Sequence, residues 1–175
     1  MSEGLAARLA GFALGALDAG NAAGARAMMR LSLLDWAAVG LAGVGEPVSR
    51  LTRDMVLAEA GQGRATVFGA ATTAPARGAA LVNGATSHAL DYDDTHFAHI
   101  GHPSVAVIPA ALAVAQSEAA QGTDFLDAAL VGVEASIRLG VWLGRSHYQT
   151  GFHQTATAGA FGATLAAARL MRLDP

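Results

Sequence analysis

Asn83 to Gln116 reads NGATSHALDYDDTHFAHIGHPSVAVIPAALAVAQ: a small-residue segment, a polar break, and then an almost wholly apolar segment. Neither flank alternates polar and apolar residues as a half-buried strand does. Before the break, Asn83 and Ser87 stand one helical turn apart and Gly84 permits close packing, so the segment opened by Pro75 reads as a helix from Ala76 to about His88. After it, Pro103 and Ser104 start a helix that runs to about Ala120, with Pro109 either kinking it or marking a later true start. Between the two, Asp91, Asp93 and Asp94 sit with His88, His96, His99 and His102, which concentrates acids and groups that titrate near neutral pH where the hydrophobic pattern stops. Helix, polar loop, helix decides the fold class, and the loop is the natural place for a site.

Outward from this stretch the same period recurs. Residues 2 to 18 carry Leu5, Leu9, Phe12 and Ala16 at helical spacing, with Gly20-Asn21 as the expected stop. A second helix, Ala25 to about Gly43, places Met29, Leu33, Trp36 and Gly40 inward and leaves Arg26 and Arg30 on a solvated edge. Pro47 opens a third, to about Ala60, with Leu51, Met55 and Ala58 inward. RATVFG at 64 to 69 is the only strand-like stretch, and no partner for it is visible. Thr123 is expected to cap a helix from Asp124 to about Gly144, along which Asp127, Glu134, Arg138 and Arg145 form one charged stripe. A last helix, His153 to Met171, puts His153, Thr157, Ala160 and Thr164 on one face. With no internal repeat and no long linker, residues 1–175 read as a single all-α domain, an Ala/Gly-rich helical bundle.

Composition bounds the chemistry. A chain of 175 residues that is 53% hydrophobic and 14% charged can bury about 70% of its unfolded surface. All eleven basic residues are Arg, so no lysine Schiff base or lysine proton donor comes from this sequence. No Cys is present to form a disulfide or a thiolate metal ligand. Eleven basic against fourteen acidic residues, with no Arg cluster, argue against nucleic acid as a partner. Apolar runs such as Val105 to Ala115 fall short of a membrane span, and no signal pattern opens the chain, so the expectation is a cytoplasmic protein with no membrane partner.

A lone histidine most often is a hydrogen-bonded structural side chain, and Asp94 before Thr95 reads equally well as a helix cap. Clustering favours a site. Asp and His at short spacing are ligand types for zinc, manganese or iron, which keeps a metal-dependent hydrolase open as an alternative, although no H-E-x-x-H pair is present. A dinucleotide loop, a lysine-bearing phosphate loop and a G-x-S-x-G elbow are all missing, so no cofactor is expected.

Three ordered blocks, the 83–116 stretch, GVEASIRLG at 132 to 140 and GFHQTATAGAFGATLAAARLMRLD at 151 to 174, resemble the MmgE/PrpD family. LLDWAAVGLAG at 33 to 43 and the following ATVFG extend the resemblance over nearly the whole chain. Members of that family include 2-methylcitrate dehydratase, cis-aconitate decarboxylase and iminodisuccinate epimerase. The resemblance implies an all-helical large domain, a separate smaller α/β domain, a homodimer and no metal; on that pattern the 175 residues are expected to correspond to part of the helical domain without the smaller one. It further implies a cleft between the domains, lined by Asp91, Thr95, His102 and His153, with a Lys and a Tyr expected later in the longer members.

The implied function is the N-terminal helical part of a metal-independent lyase, nearest to 2-methylcitrate dehydratase, acting on small di- or tricarboxylates by moving a proton beside a carboxylate. His102 and His153 are its expected acid–base pair, Asp91 its relay or tautomer-fixing acid, and Thr95 its donor to a substrate carboxylate. Arg138 is the carboxylate clamp by chemistry, against a competing reading as the i,i+4 partner of Glu134. Expected partners are the carboxylate substrate and a second copy or complementing C-terminal chain. A non-catalytic helical subunit is the other alternative.

Overall fold

The computed structural model describes residues 4–17, 19–59 and 61–174. Seven helices occupy most of them: α1 Leu5–Leu14, α2 Ala19–Gly43, α3 Pro47–Glu59, α4 Ala76–Ser87, α5 Ser104–Ser117, α6 Gly122–Gln149 and α7 Gln154–Leu170. The chain is mostly helical, as its periodicity predicts. No single described helix is long and apolar enough to cross a membrane.

α5 is the axis of the molecule because it is apolar on every side, and such a helix is stable only when surrounded. Its Val107, Ile108, Ala111 and Ala115 pack with Met29 and Trp36 of α2, Leu126, Ala128 and Ala129 of α6, and Ala166 and Leu170 of α7. Its Ala113 joins a second cluster with Val56, Val67, Ala74, Ala79 and Val82. Pro109 lies inside the helix without ending it. The missing Pro109 N–H leaves the Val105 carbonyl unpaired along the helix, and Gly84 of α4 packs over this point, where an added Cβ would stand 3.7 Å from both that carbonyl and the proline ring.

α6 and α7 approach through glycine: a Cβ on Gly132 would lie 2.6 Å from the Gly162 carbonyl, so the two backbones nearly touch. This close approach sets the start of α7 beside the loop that follows α4. Arg26 of α2 forks onto Asp127 of α6 at 2.6 and 2.7 Å, so Arg26 is a tie between helices rather than a solvated edge. Each partner holds the other ionised: Asp127 lies below the usual carboxylate range because of the Arg26 hydrogen bond, and Arg26 is raised by Asp127.

Several sequence expectations are corrected. Gly20-Asn21 does not stop the first helix, which ends at Leu14 with Gly15 as its cap; Gly20 already belongs to α2. The expected helical residues 2, 3, 18 and 60 lie outside the described residues. α3 turns Ser49 and Val56 inward and leaves Leu51, Met55 and Ala58 exposed: Val56 packs with Val67, Ala79 and Val82, and the Ser49 hydroxyl donates to the Gly43 carbonyl at 2.7 Å. The strand-like stretch has a partner after all: Ala65–Thr66 pairs antiparallel with Thr73–Ala74. Buried Asn83 secures it, accepting from the Phe68 N–H at 2.8 Å and donating to the Thr66 carbonyl at 2.9 Å. α6 starts at Gly122 after Gln121, so Thr123 is not its cap, and it runs on past a break at Gly144.

Candidate active site

α4 ends at Ser87, and residues 88 to 103 leave it as a folded loop. Asp94 anchors that loop at two points. Its carboxylate accepts from the Ser104 hydroxyl at 2.5 Å and the Ser104 N–H at 3.3 Å, capping α5, while its own N–H donates to Asp35 of α2 at 3.1 Å. Asp94 thus does not cap a helix opening at Thr95; it ties the loop to Ser104 at the start of α5 from ten residues away. At the loop's far end, the His96 N–H donates to the Gly101 carbonyl at 3.0 Å and the Ile100 N–H to the His96 carbonyl at 2.8 Å. This tight turn carries Ile100 at φ 58, a left-handed conformation that a β-branched residue adopts only when its surroundings impose it.

What imposes it is His99. Its side chain is wholly buried against α6 in a notch opened by Gly140, where any Cβ would collide with the imidazole. Burial pushes the His99 pKa below the ordinary imidazole value, with His96 and His102 acting in the same direction and the Ser136 backbone opposing. His99 is thus a neutral wedge that docks the loop.

The reactive groups gather on the other side of this wedge. Asp93 is buried, and its Oδ1 lies 2.9 Å from His88 Nδ1. His102 Nδ1 lies 3.1 Å from the Asp93 carbonyl and 3.2 Å from Asp93 Oδ2. The carbonyl has the in-line geometry, so Asp93 Oδ2 is close to the ring without a properly directed hydrogen bond. Because a carbonyl only accepts, Nδ1 of His102 carries a hydrogen, and Nε2 is left to take up or release a proton. Nε2 lies 3.3 Å from Asp91 Oδ1. Asp91 itself stands at φ 56, a left-handed conformation that Asp tolerates better than most residues. The His88 and His102 rings meet edge to face at 4.9 Å, and the Asp93 hydrogen bond raises the His88 pKa above its ordinary value, against burial.

α7 supplies the opposite wall. Thr155 accepts the His102 N–H at 3.0 Å, which pins the loop to the helix start. His153 stands at the N-cap position of α7, tilted against Tyr148 with ring centres 5.0 Å apart. Asp91, Thr95, His102 and His153 line one cleft of about 630 Å³. Four of the five residues singled out from sequence are therefore brought together.

Arg138 is not among them. It is mostly solvent-exposed and forks onto Glu134 at 2.5 and 2.7 Å, the helical i,i+4 arrangement. The arginine in the cleft is Arg145. Sequence reasoning also passed over His88 and Asp93 as a coupled pair and Tyr148 as a lining residue. Spacing alone had no means of separating Asp93 from Asp91, since which acid is buried depends on the path of the loop.

His88, Asp91, Asp93 and His102 each offer a donor atom within 4.8 Å of the others, a donor set of the kind that suits a divalent cation. Asp93 and His88 already satisfy each other at 2.9 Å, and a cation would have to displace that proton-sharing contact. A second hollow, of about 690 Å³, lies beside Glu118, Asp124 and Arg169. It contains no histidine, and Arg169 is occupied by the Ala13 and Gly15 carbonyls.

A family model described as the MmgE/PrpD N-terminal domain matches residues 7–175. Two curated proteins are similar to the chain. The cis-aconitate decarboxylase-like protein oryM of Aspergillus oryzae is 30% identical over 151 residues, 82% of this chain and 31% of that protein. Cis-aconitate decarboxylase of Homo sapiens is 35% identical over 101 residues, 55% of this chain and 21% of that protein. The chain thus matches about a third or less of the length of these relatives.

Proposed function

The chain belongs to the MmgE/PrpD family, and on that footing we propose that it forms the N-terminal helical wall of a lyase site for small di- or tricarboxylates, with His102 and His153 as the acid–base pair. The observation that carries this reading is the shared cleft: two imidazoles from opposite walls face one volume large enough for a small polycarboxylate. Removing a proton beside a carboxylate needs a base near neutral pH, and returning one elsewhere needs an acid. His102 suits the first task because the Asp93 carbonyl fixes its tautomer and Asp91 accepts from Nε2 once that atom is protonated. His153 suits the second, and Thr95 can donate to a carboxylate oxygen.

The named relatives are cis-aconitate decarboxylases, which supports a decarboxylase-type reaction over the 2-methylcitrate dehydratase suggested by the sequence motifs. Dehydration takes a proton from the carbon beside a carboxylate and expels a hydroxyl as water, whereas decarboxylation breaks the bond to the carboxylate, releases carbon dioxide and returns a proton to the carbon left behind; both need a proton donor in the cleft. The chain contains no lysine, so a lysine-dependent step has to come from another chain or segment.

A partner surface accompanies this reading. Met28, Leu31, Leu34 and Leu41 are exposed along α2, and Leu51 and Met55 along α3. Large apolar side chains in such a row are normally covered, by a second copy or by a complementing chain.

The test uses tricarballylate, an inert tricarboxylate, titrated into the chain while histidine ring resonances are followed by NMR. His102 and His153 are expected to shift together and His147, hydrogen-bonded to Thr157, to stay. A titration that moves neither His102 nor His153 would refute the acid–base assignment. Turnover of cis-aconitate or 2-methylcitrate by the chain alone is expected to be undetectable, and robust turnover abolished by His102→Ala would show that its catalytic set is complete without a lysine.

The donor set of His88, Asp91, Asp93 and His102 supports one rival, a metal-dependent hydrolase. Calorimetry with zinc and manganese separates the two: stoichiometric binding lost on Asp93→Asn favours the rival.

A further inference from the structure

Arg138 and Arg145 are seven residues apart, which on an unbroken α-helix is close to two full turns and puts both on nearly the same stripe. The molecule does not leave them there. Gly144 has φ 72 and ψ 178, which breaks α6 one residue before Arg145. The break is held from outside: the buried Gln154 at the start of α7 donates to the Gly144 carbonyl at 3.0 Å. A left-handed φ at this point requires glycine, and its consequence is to turn Arg145 off the Arg138 stripe and into the wall of the His102–His153 cleft.

Among the described residues, Arg145 is the one permanent cation lining that cleft. Arg26, Arg138 and Arg169 are each committed to an acid or to carbonyls, whereas no described residue pairs with Arg145. The acidic member of the cleft, Asp91, faces His102 at 3.3 Å. An unneutralised guanidinium beside titratable imidazoles, with Phe97 and Ile100 as apolar wall, is arranged to receive an anion that accepts two parallel hydrogen bonds.

We infer that Arg145 is the carboxylate anchor of this cleft and its specificity-determining residue: it holds the carboxylate that does not react, so that the carbon beside a second carboxylate of the same small polycarboxylate faces His102. This deepens, and rests on, the acid–base reading above. It selects di- and tricarboxylates over monocarboxylates, because only they offer one carboxylate to Arg145 and another to the reacting end.

The experiment is calorimetric titration of the full chain with tricarballylate, repeated with its neutral triamide and with a monocarboxylate, butyrate. Tricarballylate is expected to bind with an affinity that falls as salt is raised, and the triamide and butyrate to bind at least 10-fold more weakly. Arg145→Gln should weaken tricarballylate binding at least 10-fold, Arg145→Lys should fall between, since it keeps the charge and loses the fork, and Arg138→Gln should match the parent. If Arg145→Gln binds as the parent does while His102 and His153 still shift, the anchor assignment is overturned and the acid–base reading stands. If the parent chain binds no tricarballylate, both fall. Should Arg145→Gln fail to fold, Arg145→Lys decides the matter by the same comparison, and parental affinity in that variant overturns the need for a fork.

Discussion

Buried Asp93 stands between two imidazoles, 2.9 Å from His88 Nδ1 through its carboxylate and 3.1 Å from His102 Nδ1 through its carbonyl. One residue therefore favours the protonated form of His88 through its carboxylate and fixes the tautomer of His102 through its carbonyl. Asp93→Asn keeps an acceptor oxygen but removes the negative charge that favours protonated His88, so the His88 titration midpoint is expected to fall, read by NMR of the ring. The His102 tautomer should be unchanged, because the backbone carbonyl that fixes it remains. An unmoved His88 midpoint would contradict the pairing.

His99 makes stability depend on pH with a defined sign. Its folded pKa lies below the unfolded value of about 6.5, so between the two the unfolded chain binds more protons than the folded one. The neutral wedge contributes fully above the unfolded value, and stability falls as pH drops below it. His88 works the other way, contributing below its ordinary value and losing that contribution as pH rises through its raised one. Asp127 adds a loss at lower pH still, as pH falls through its depressed carboxylate value. His99→Gln should therefore flatten the decline that begins near pH 6.5 while leaving the more acidic one in place. Urea midpoints measured from pH 8 to 4 check this, and an unchanged profile would remove His99 as its cause.

Gly140 is the notch that receives that wedge. Gly140→Ala drives a methyl group into the His99 ring and should cost about 1–3 kcal/mol, the usual scale for overpacking. Gly122→Ala, where nothing lies within 4 Å of the added carbon, should change stability by less than about 1 kcal/mol. Chemical denaturation of the two variants side by side gives the contrast, and equal midpoints would mean that the loop is not docked through His99.

Asn83 holds the two-residue strand pair by bonding Phe68 and Thr66. Asn83→Ala leaves a backbone N–H and a carbonyl without their partner and should destabilise the chain by about 2 kcal/mol. Hydrogen exchange at the Phe68 amide should accelerate more than exchange in α5, which identifies the loss as local.

The exposed row on α2 predicts association. Light scattering should show a species larger than one chain, and Leu34→Glu with Leu41→Glu should shift it toward monomer without loss of helical circular dichroism. A parent chain that stays monomeric at high concentration would leave that face uncovered.

Apolar periodicity alone determined that the chain is helical, that Met29 and Trp36 face inward, and that residues 83 to 104 interrupt the pattern with acids and imidazoles. These features follow from local rules, in which a side chain's direction is fixed by its place in a 3.6-residue turn. The same rule misled wherever the backbone departs from that turn. Leu51 and Met55 were expected inward, yet α3 instead presents Val56 to the cluster of Val67, Ala79 and Val82 and Ser49 to the Gly43 carbonyl. Arg138 and Arg145 share a stripe on a straight helix, and Gln154, ten residues beyond Gly144, bonds the break that separates them. Which of Asp91 and Asp93 is buried, and where His99 goes, were likewise decided by tertiary contact. The loop has no repeating geometry of its own, and its path is fixed by Asp35, Gly140 and Thr155, which come from three helices distant in sequence.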